Sequence, residues 1–164
     1  MILRKLTPHL MVKRLPDVSL DFLWEKGIRG LIIDLDNTLV PWGGFEFPPG
    51  VKSWVKEAQE RGFKIFLVSN ALEERVNHFR ESLGIPGISQ AQKPRRGAFR
   101  LALQEMGLEK NQVAVVGDQL FTDVWGGNRL GLFTILVSPV NDEEFFFTRL
   151  VRCIERRVLK RIKV

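Results

Sequence analysis

Five short apolar runs punctuate this chain: residues 28–34 (IRGLIID), 63–68 (FKIFLV), a weaker one near 85–89, 112–117 (QVAVVG) and 132–137 (LFTILV). Continuous apolar runs of this length read as strands buried on both faces, as in a parallel sheet. Between them lie amphipathic stretches with helix punctuation. VKSWVKEAQER follows Pro48-Pro49 and stops at Gly62, residues 72–83 stop at Gly84, and residues 97–106 stop at Gly107. A shorter helix around 122–130 is interrupted by Gly126-Gly127. Pro86 and Gly87 keep the third run short, which suits an edge. The alternation predicts an α/β fold: one domain over 1–164, with a parallel sheet of about five strands and helices on both faces. No repeat, low-complexity tract or linker interrupts it.

In such a fold, ligands gather beyond the carboxyl ends of the strands. Those ends carry Asp34 to Thr38, Ser69-Asn70, Gln92-Lys93 and Gly117-Asp118. Each of the four delivers a polar group suited to phosphate or metal. Asp34 and Asp36 stand at i and i+2, so on extended chain they leave the same side of the backbone. Two carboxylates held together raise each other's pKa, and one stays protonated while the other is ionised. That division of labour fits covalent phosphoryl transfer, with one carboxylate as nucleophile and the other as acid and base. Lys93 offers a positive charge, Ser69 a hydroxyl and Asn70 a backbone N–H to a phosphoryl group in transit. Taken singly, each has a plainer reading: Lys93 as a solvated surface lysine, Ser69 as the N-cap of the helix over 72–83, Asp118 as a turn residue.

DLDNT at 34–38 resembles motif I of the haloacid-dehalogenase superfamily. Ser69 in VSN resembles its motif II, Lys93 in QKP its motif III, and GDQLFTD, with Asp118 and Asp123, its acidic motif IV. Within the superfamily, LDNTLVPW followed by GDQ-x-x-TD-x-x-x-GN is most similar to the YqeG-type, class IIIA phosphatases, a group similar to the mitochondrial phosphatidylglycerophosphate phosphatases. The resemblance implies a Mg²⁺-dependent phosphomonoester hydrolase. Asp34 would be the nucleophile and Asp36 the general acid and base, with Ser69, Asn70 and Lys93 on the phosphate. Mg²⁺ would be held by Asp34, the backbone carbonyl of Asp36 and Asp118, with Thr38 and Asp123 supporting from behind. An acid at position 36, where pumps of the superfamily carry threonine, implies rapid hydrolysis of the aspartyl phosphate. Only 32 residues separate Asp36 from Ser69, and 23 separate Ser69 from Lys93. Neither gap houses a cap domain once its helix and strand are counted, so the site is expected to be open.

Charge adds a second theme. Residues 145–164 hold seven bases (Arg149, Arg152, Arg156, Arg157, Lys160, Arg161, Lys163) and one acid, Glu155. The whole net charge of +6 therefore sits in the last twenty residues, and the other 144 balance 18 against 18. Phe147, Val151, Ile154, Val158 and Ile162 recur at helical spacing, so 142–164 reads as a basic amphipathic helix, and 1–15 repeats the theme with Arg4, Lys5, Lys13 and Arg14. Such ends either bind an anionic membrane surface peripherally or dock on the domain with the basic side in water. The Gly- and Pro-rich stretch 40–50 carries Trp42, Phe45 and Phe47; Trp42 and Phe45 either line the mouth of the site and touch lipid or substrate or, the favoured reading, pack over a neighbouring helix. The apolar runs are too short to span a bilayer, the N-terminus lacks a secretory pattern, and the single cysteine, Cys153, forms no internal disulfide. The expected setting is cytoplasmic, at the inner face of a membrane, with an anionic phospholipid as the phosphorylated substrate and no obligate protein partner. Two competing readings stand beside this one. A nucleic-acid-associated phosphatase or RNA-binding protein would use the same basic tail but lacks an aromatic stacking platform. A non-enzymatic scaffold would have no need of both Asp34 and Asp36.

Overall fold

The structure is a computed structural model and describes residues 2–141 and 146–162. In chain order its elements are α1 (Ile2–Leu6), β1 (Leu10–Val12), α2 (Leu20–Glu25), β2 (Gly30–Ile33), α3 (Val51–Glu60), β3 (Lys64–Val68), α4 (Glu73–Leu83), β4 (Gly87–Ile88), α5 (Gly97–Met106), β5 (Val113–Gly117), α6 (Trp125–Asn128), β6 (Phe133–Val137) and α7 (Phe146–Leu159). Three short turns of tighter or wider helix stand between them, at Leu15–Asp17, Lys110–Gln112 and Leu120–Val124. The six strands form one parallel sheet in the order β1-β6-β5-β2-β3-β4.

The sheet has one strand more than the apolar runs predict. β1 is three residues long, lies at the edge against β6, and leaves Met11 44% exposed. Too short for a visible period and flanked by bases, it has no signal of its own. The 1–15 segment is therefore not one amphipathic helix. It is divided between α1 and this strand, and its Leu6 and Leu15 are buried. α2 was also absent from the pattern; its six residues follow the N-cap Ser19, whose hydroxyl accepts the Phe22 N–H.

Alternation along the strands separates two cores. Leu31, Ile33, Ile65, Leu67, Ala114 and Val116 pack with residues of α2, α3 and α4 on one face. Ile32, Phe66, Val68, Val113 and Val115 pack with Ala98, Phe99, Ala102 and Met106 of α5 on the other. Each fully buried Leu, Ile or Phe contributes about 1.5–3 kcal/mol against the cost of ordering the chain. β2 is buried along its whole length at the centre, so the polar residues that follow it emerge from the most rigid part of the molecule.

The C-terminal helix docks. Val158, Leu159 and Ile162 pack against Leu6, Leu120, Val124 and Leu136, while Arg156, Arg157, Lys160 and Arg161 are exposed. Ile154, assigned by periodicity to the apolar face, is instead 48% exposed. The side chains of Phe147 and Val151, residues 142–145 and Lys163 lie outside the described residues. Among the described residues, no helix is long and apolar enough to cross a membrane.

Candidate active site

Parallel pairing sets the strand ends side by side. Ile33 of β2 is in register with Leu67 of β3 and with Val116 of β5, so Asp34, Ser69 and Asp118 emerge at neighbouring points of the sheet. Strand order turns in opposite directions on either side of β2, the arrangement that opens a crevice at the carboxyl end. That crevice is a cavity of about 230 Å³, lined by Asp34, Asp36, Asn37, Trp42, Ser69, Asn70, Ala71, Lys93, Gln119 and Thr122.

Lys93 is the hub. Its ammonium donates to Asp34 Oδ1 at 2.7 Å and to Asp123 Oδ1 at 2.6 Å, with its side chain only 3% exposed. The surface-lysine reading is thereby overturned. Asn70 brackets the backbone of Lys93, its Oδ1 accepting the Lys93 N–H at 2.8 Å and its Nδ2 donating to the Lys93 carbonyl at 3.4 Å. The side chain of Asn70 thus fixes the loop that aims the lysine. Ser69 is buried, and its hydroxyl accepts the Ala71 N–H at 3.1 Å; it does not cap α4, whose N-cap is Leu72. The Thr38 hydroxyl lies 3.5 Å from Asp34 Oδ2 and 3.3 Å from Asp118 Oδ1. Asp123 stands on the wide turn 120–124, where Val124 N–H bonds back five residues to Gln119. Such turns recur at functional sites. Gly117 makes room for it: a Cβ there would lie 2.2 Å from Asp123 Cγ.

Carboxylate oxygens of Asp34, Asp118 and Asp123 lie within 4.8 Å of one another, all buried. Burial pushes Asp34 up to about 7; Lys93 works against this and the Asp118 charge adds to it. Burial likewise raises Asp118, opposed chiefly by Arg152, and raises Asp123, opposed chiefly by Lys93. For Lys93, burial acts to lower the pKa, but Asp123 and Asp34 outweigh it and the ammonium is held charged. Three carboxylates thus face one ammonium and one guanidinium. This all-oxygen set, one positive charge short, fits a hard divalent cation accompanied by an anionic ligand.

One expectation of the aspartate pair fails. The like charge raising Asp34 comes from Asp118, because the Asp36 carboxylate turns away toward α4. There its Oδ1 accepts from Arg75 Nε at 3.1 Å, Arg75 Nη2 at 2.7 Å and the Gly43 N–H at 3.2 Å. Asn37 was also overlooked. It takes a left-handed backbone (φ 60°), which asparagine tolerates, and its Oδ1 accepts the N–H groups of Trp42 and Asn141. Arg152 of α7 completes the set of missed residues: it donates to the Asp118 carbonyl at 2.8 Å and forms an ion pair with the Asp118 carboxylate. Arg75 and Arg152 meet their partners across 39 and 34 residues, so no local spacing marks them. The loop aromatics divide between the two readings: Phe45 packs on Phe79 of α4, where Phe47 joins it, whereas Trp42 lines the cavity.

The chain is similar to known proteins along most of its length. It is 46% identical over 156 residues to "Probable phosphatase YqeG" of Bacillus subtilis, covering 95% of this chain and 91% of that protein. It is 30% identical to "Phosphatidylglycerophosphate phosphatase 1, chloroplastic/mitochondrial" of Arabidopsis thaliana, covering 94% of this chain but 47% of that protein, so the chain spans about half of that relative. A 3-deoxy-D-manno-octulosonate 8-phosphate phosphatase from Yersinia pestis shares the fold, with a TM-score of 0.56 at 16% identity over 87% of this chain and 86% of that one. The family model "haloacid dehalogenase-like hydrolase" matches residues 42–131, more than half of the chain. This chain belongs to the haloacid dehalogenase-like hydrolases, with phosphatases of the YqeG type as its relatives.

Proposed function

We propose that this phosphatase hydrolyses a phosphomonoester through an aspartyl phosphate on Asp34, and that its substrate is the terminal phosphate of an anionic glycerophospholipid such as phosphatidylglycerophosphate. The observation that carries the reading is the buried Lys93 ammonium bonded to both Asp34 and Asp123, beside Asp118 and at the end of a cavity open to solvent. A carboxylate oxygen of Asp34 attacks phosphorus and the bond to the leaving oxygen breaks. That oxygen takes the proton of Asp36. Water then attacks phosphorus and gives its proton to Asp36, the acyl phosphate bond opens, and the Asp34 carboxylate returns. Lys93 and the Ser69 hydroxyl donate to the oxygens of the phosphoryl group, Asn70 aims Lys93, and Asp123 and Thr38 hold Lys93 and Asp34 in line.

Mg²⁺ would be held by Asp34, Asp118 and the backbone carbonyl of Asp36, where it would neutralise the surplus negative charge and the charge of the phosphate. The lipid part of the reading draws on the exposed bases of α7, on a mouth that no domain among the described residues covers, and on the name of the Arabidopsis relative. A protein working this way sits peripherally on an anionic membrane surface.

The test is phosphate release from phosphatidylglycerophosphate in mixed micelles with Mg²⁺, for wild type and Asp34→Asn. Release lost in the variant is expected. Turnover of aryl phosphates without the lipid would remove the lipid substrate and spare the chemistry. Inertness toward every phosphomonoester, with tight, salt-sensitive RNA binding, would overturn both.

A further inference from the structure

We infer that Arg75 is the positioning residue for the proton-transferring carboxyl of Asp36, and that it ties this carboxyl to the loop over the mouth of the site. The inference rests on the reading of Asp36 as acid and base given above. Three donors converge on Asp36 Oδ1: Arg75 Nε, Arg75 Nη2 and the Gly43 N–H, at 3.1, 2.7 and 3.2 Å. The same Arg75 Nη2 also donates to the Gly44 carbonyl at 2.7 Å. The guanidinium lies over the rings of Phe45 and Phe79, 5.1 and 5.2 Å from their centroids.

These contacts form one unit. Arg75 stands in the first turn of α4, fixed by the buried Val76 and Phe79. Its planar fork reaches the carboxylate from one side and the 41–47 loop from the other, a bridge that a single ammonium does not reproduce. With Oδ1 occupied by fixed donors, the carboxyl does not rotate, and Oδ2 is the oxygen that carries the proton. In the first half-reaction the Oδ2–H bond breaks as the departing oxygen takes that proton. In the second, a proton from the attacking water forms the same bond again. Both steps need Oδ2 in one place, and a misplacement near 1 Å costs on the order of 100-fold.

An effect exerted through the acid has a signature that mere loss of structure lacks. A poor leaving group, such as a glycerol alkoxide, departs only with a proton, whereas para-nitrophenolate departs without one. The ratio kcat/KM reports events up to release of the leaving group. The experiment measures kcat/KM with Mg²⁺ for wild type, Arg75→Ala, Arg75→Lys and Asp36→Asn, on a series running from para-nitrophenyl phosphate through less acidic phenols to glycerol 3-phosphate. For Arg75→Ala the expected loss is on the order of 10–100-fold on the alkyl phosphate and no more than about 3-fold on para-nitrophenyl phosphate. Arg75→Lys falls between wild type and Arg75→Ala with the same gradient, and it decides the matter if the alanine variant does not fold. A gradient in Asp36→Asn with a flat or absent loss in both Arg75 variants would overturn the inference. A flat loss in Asp36→Asn itself would instead remove the reading of Asp36 beneath it.

Discussion

Replacing Asp34 by asparagine should stabilise the metal-free protein at neutral pH, and the size of the effect follows from burial. The Asp34 carboxyl is raised from 3.8 to about 7, mainly because ionising it strips a charge of water that Lys93 only partly replaces. Between these values the folded protein holds a proton that the unfolded chain has released. Stability therefore falls as pH rises through this window and levels off above about 7. A shift of about three units at about 1.4 kcal/mol each sets an upper bound on the order of 4 kcal/mol.

Asparagine imitates the neutral acid without titrating. Its carbonyl oxygen fits toward the Lys93 ammonium, where Oδ1 now lies at 2.7 Å, and its amide toward the Thr38 hydroxyl. Thermal unfolding in EDTA from pH 4 to 8 should show the two proteins alike at pH 4. By pH 7.5 the variant should lead by roughly 2–4 kcal/mol, or about 5–15 °C in Tm for a chain of this size. Saturating Mg²⁺ should close the gap by stabilising wild type, because a ligand of the folded state adds stability by mass action. Wild-type stability that stays flat or rises from pH 5 to 7.5 in EDTA, or a variant with the same slope, would refute the reasoning.

Three further outcomes are expected. Lys93→Met leaves Asp34 and Asp123 buried without their shared cation, so phosphatase turnover should fall by at least about 100-fold, and metal-free stability at pH 7.5 should drop by about 3–5 kcal/mol; phosphate release and urea unfolding measure the two. Gly117→Ala sets a Cβ 2.2 Å from Asp123 Cγ and must displace that carboxylate from Lys93 and the Gln119 N–H, so activity should fall more than stability in paired assays. Exchanging Arg156, Arg157, Lys160 and Arg161 for glutamine removes four exposed bases, each worth about 1 kcal/mol at an anionic surface; flotation with phosphatidylglycerol vesicles should show loss of binding, while hydrolysis of para-nitrophenyl phosphate stays unchanged.

The sequence by itself determined the layers of the fold and most of the candidate site. Long apolar runs specify strands buried on both faces, and parallel strands leave their carboxyl ends on one side of the sheet, so Asp34, Ser69, Lys93 and Asp118 could be grouped before any coordinates. Local chemistry also marked where α4 and α5 stop, because Gly84 and Gly107 take the left-handed backbone (φ 62° and 63°). Only the tertiary structure decided which charges meet. Asp36 turns from Asp34 to Arg75, Asp118 takes Arg152 from a helix at the far end of the chain, and Asn70 spends its side chain holding Lys93. Edge strand β1 likewise exists only because β6 offers it a ladder. Burial patterns are local and repeat every few residues, so sequence carries them. Ion pairing depends on which segments dock together and on the water they exclude, and neither is written in the spacing of one segment.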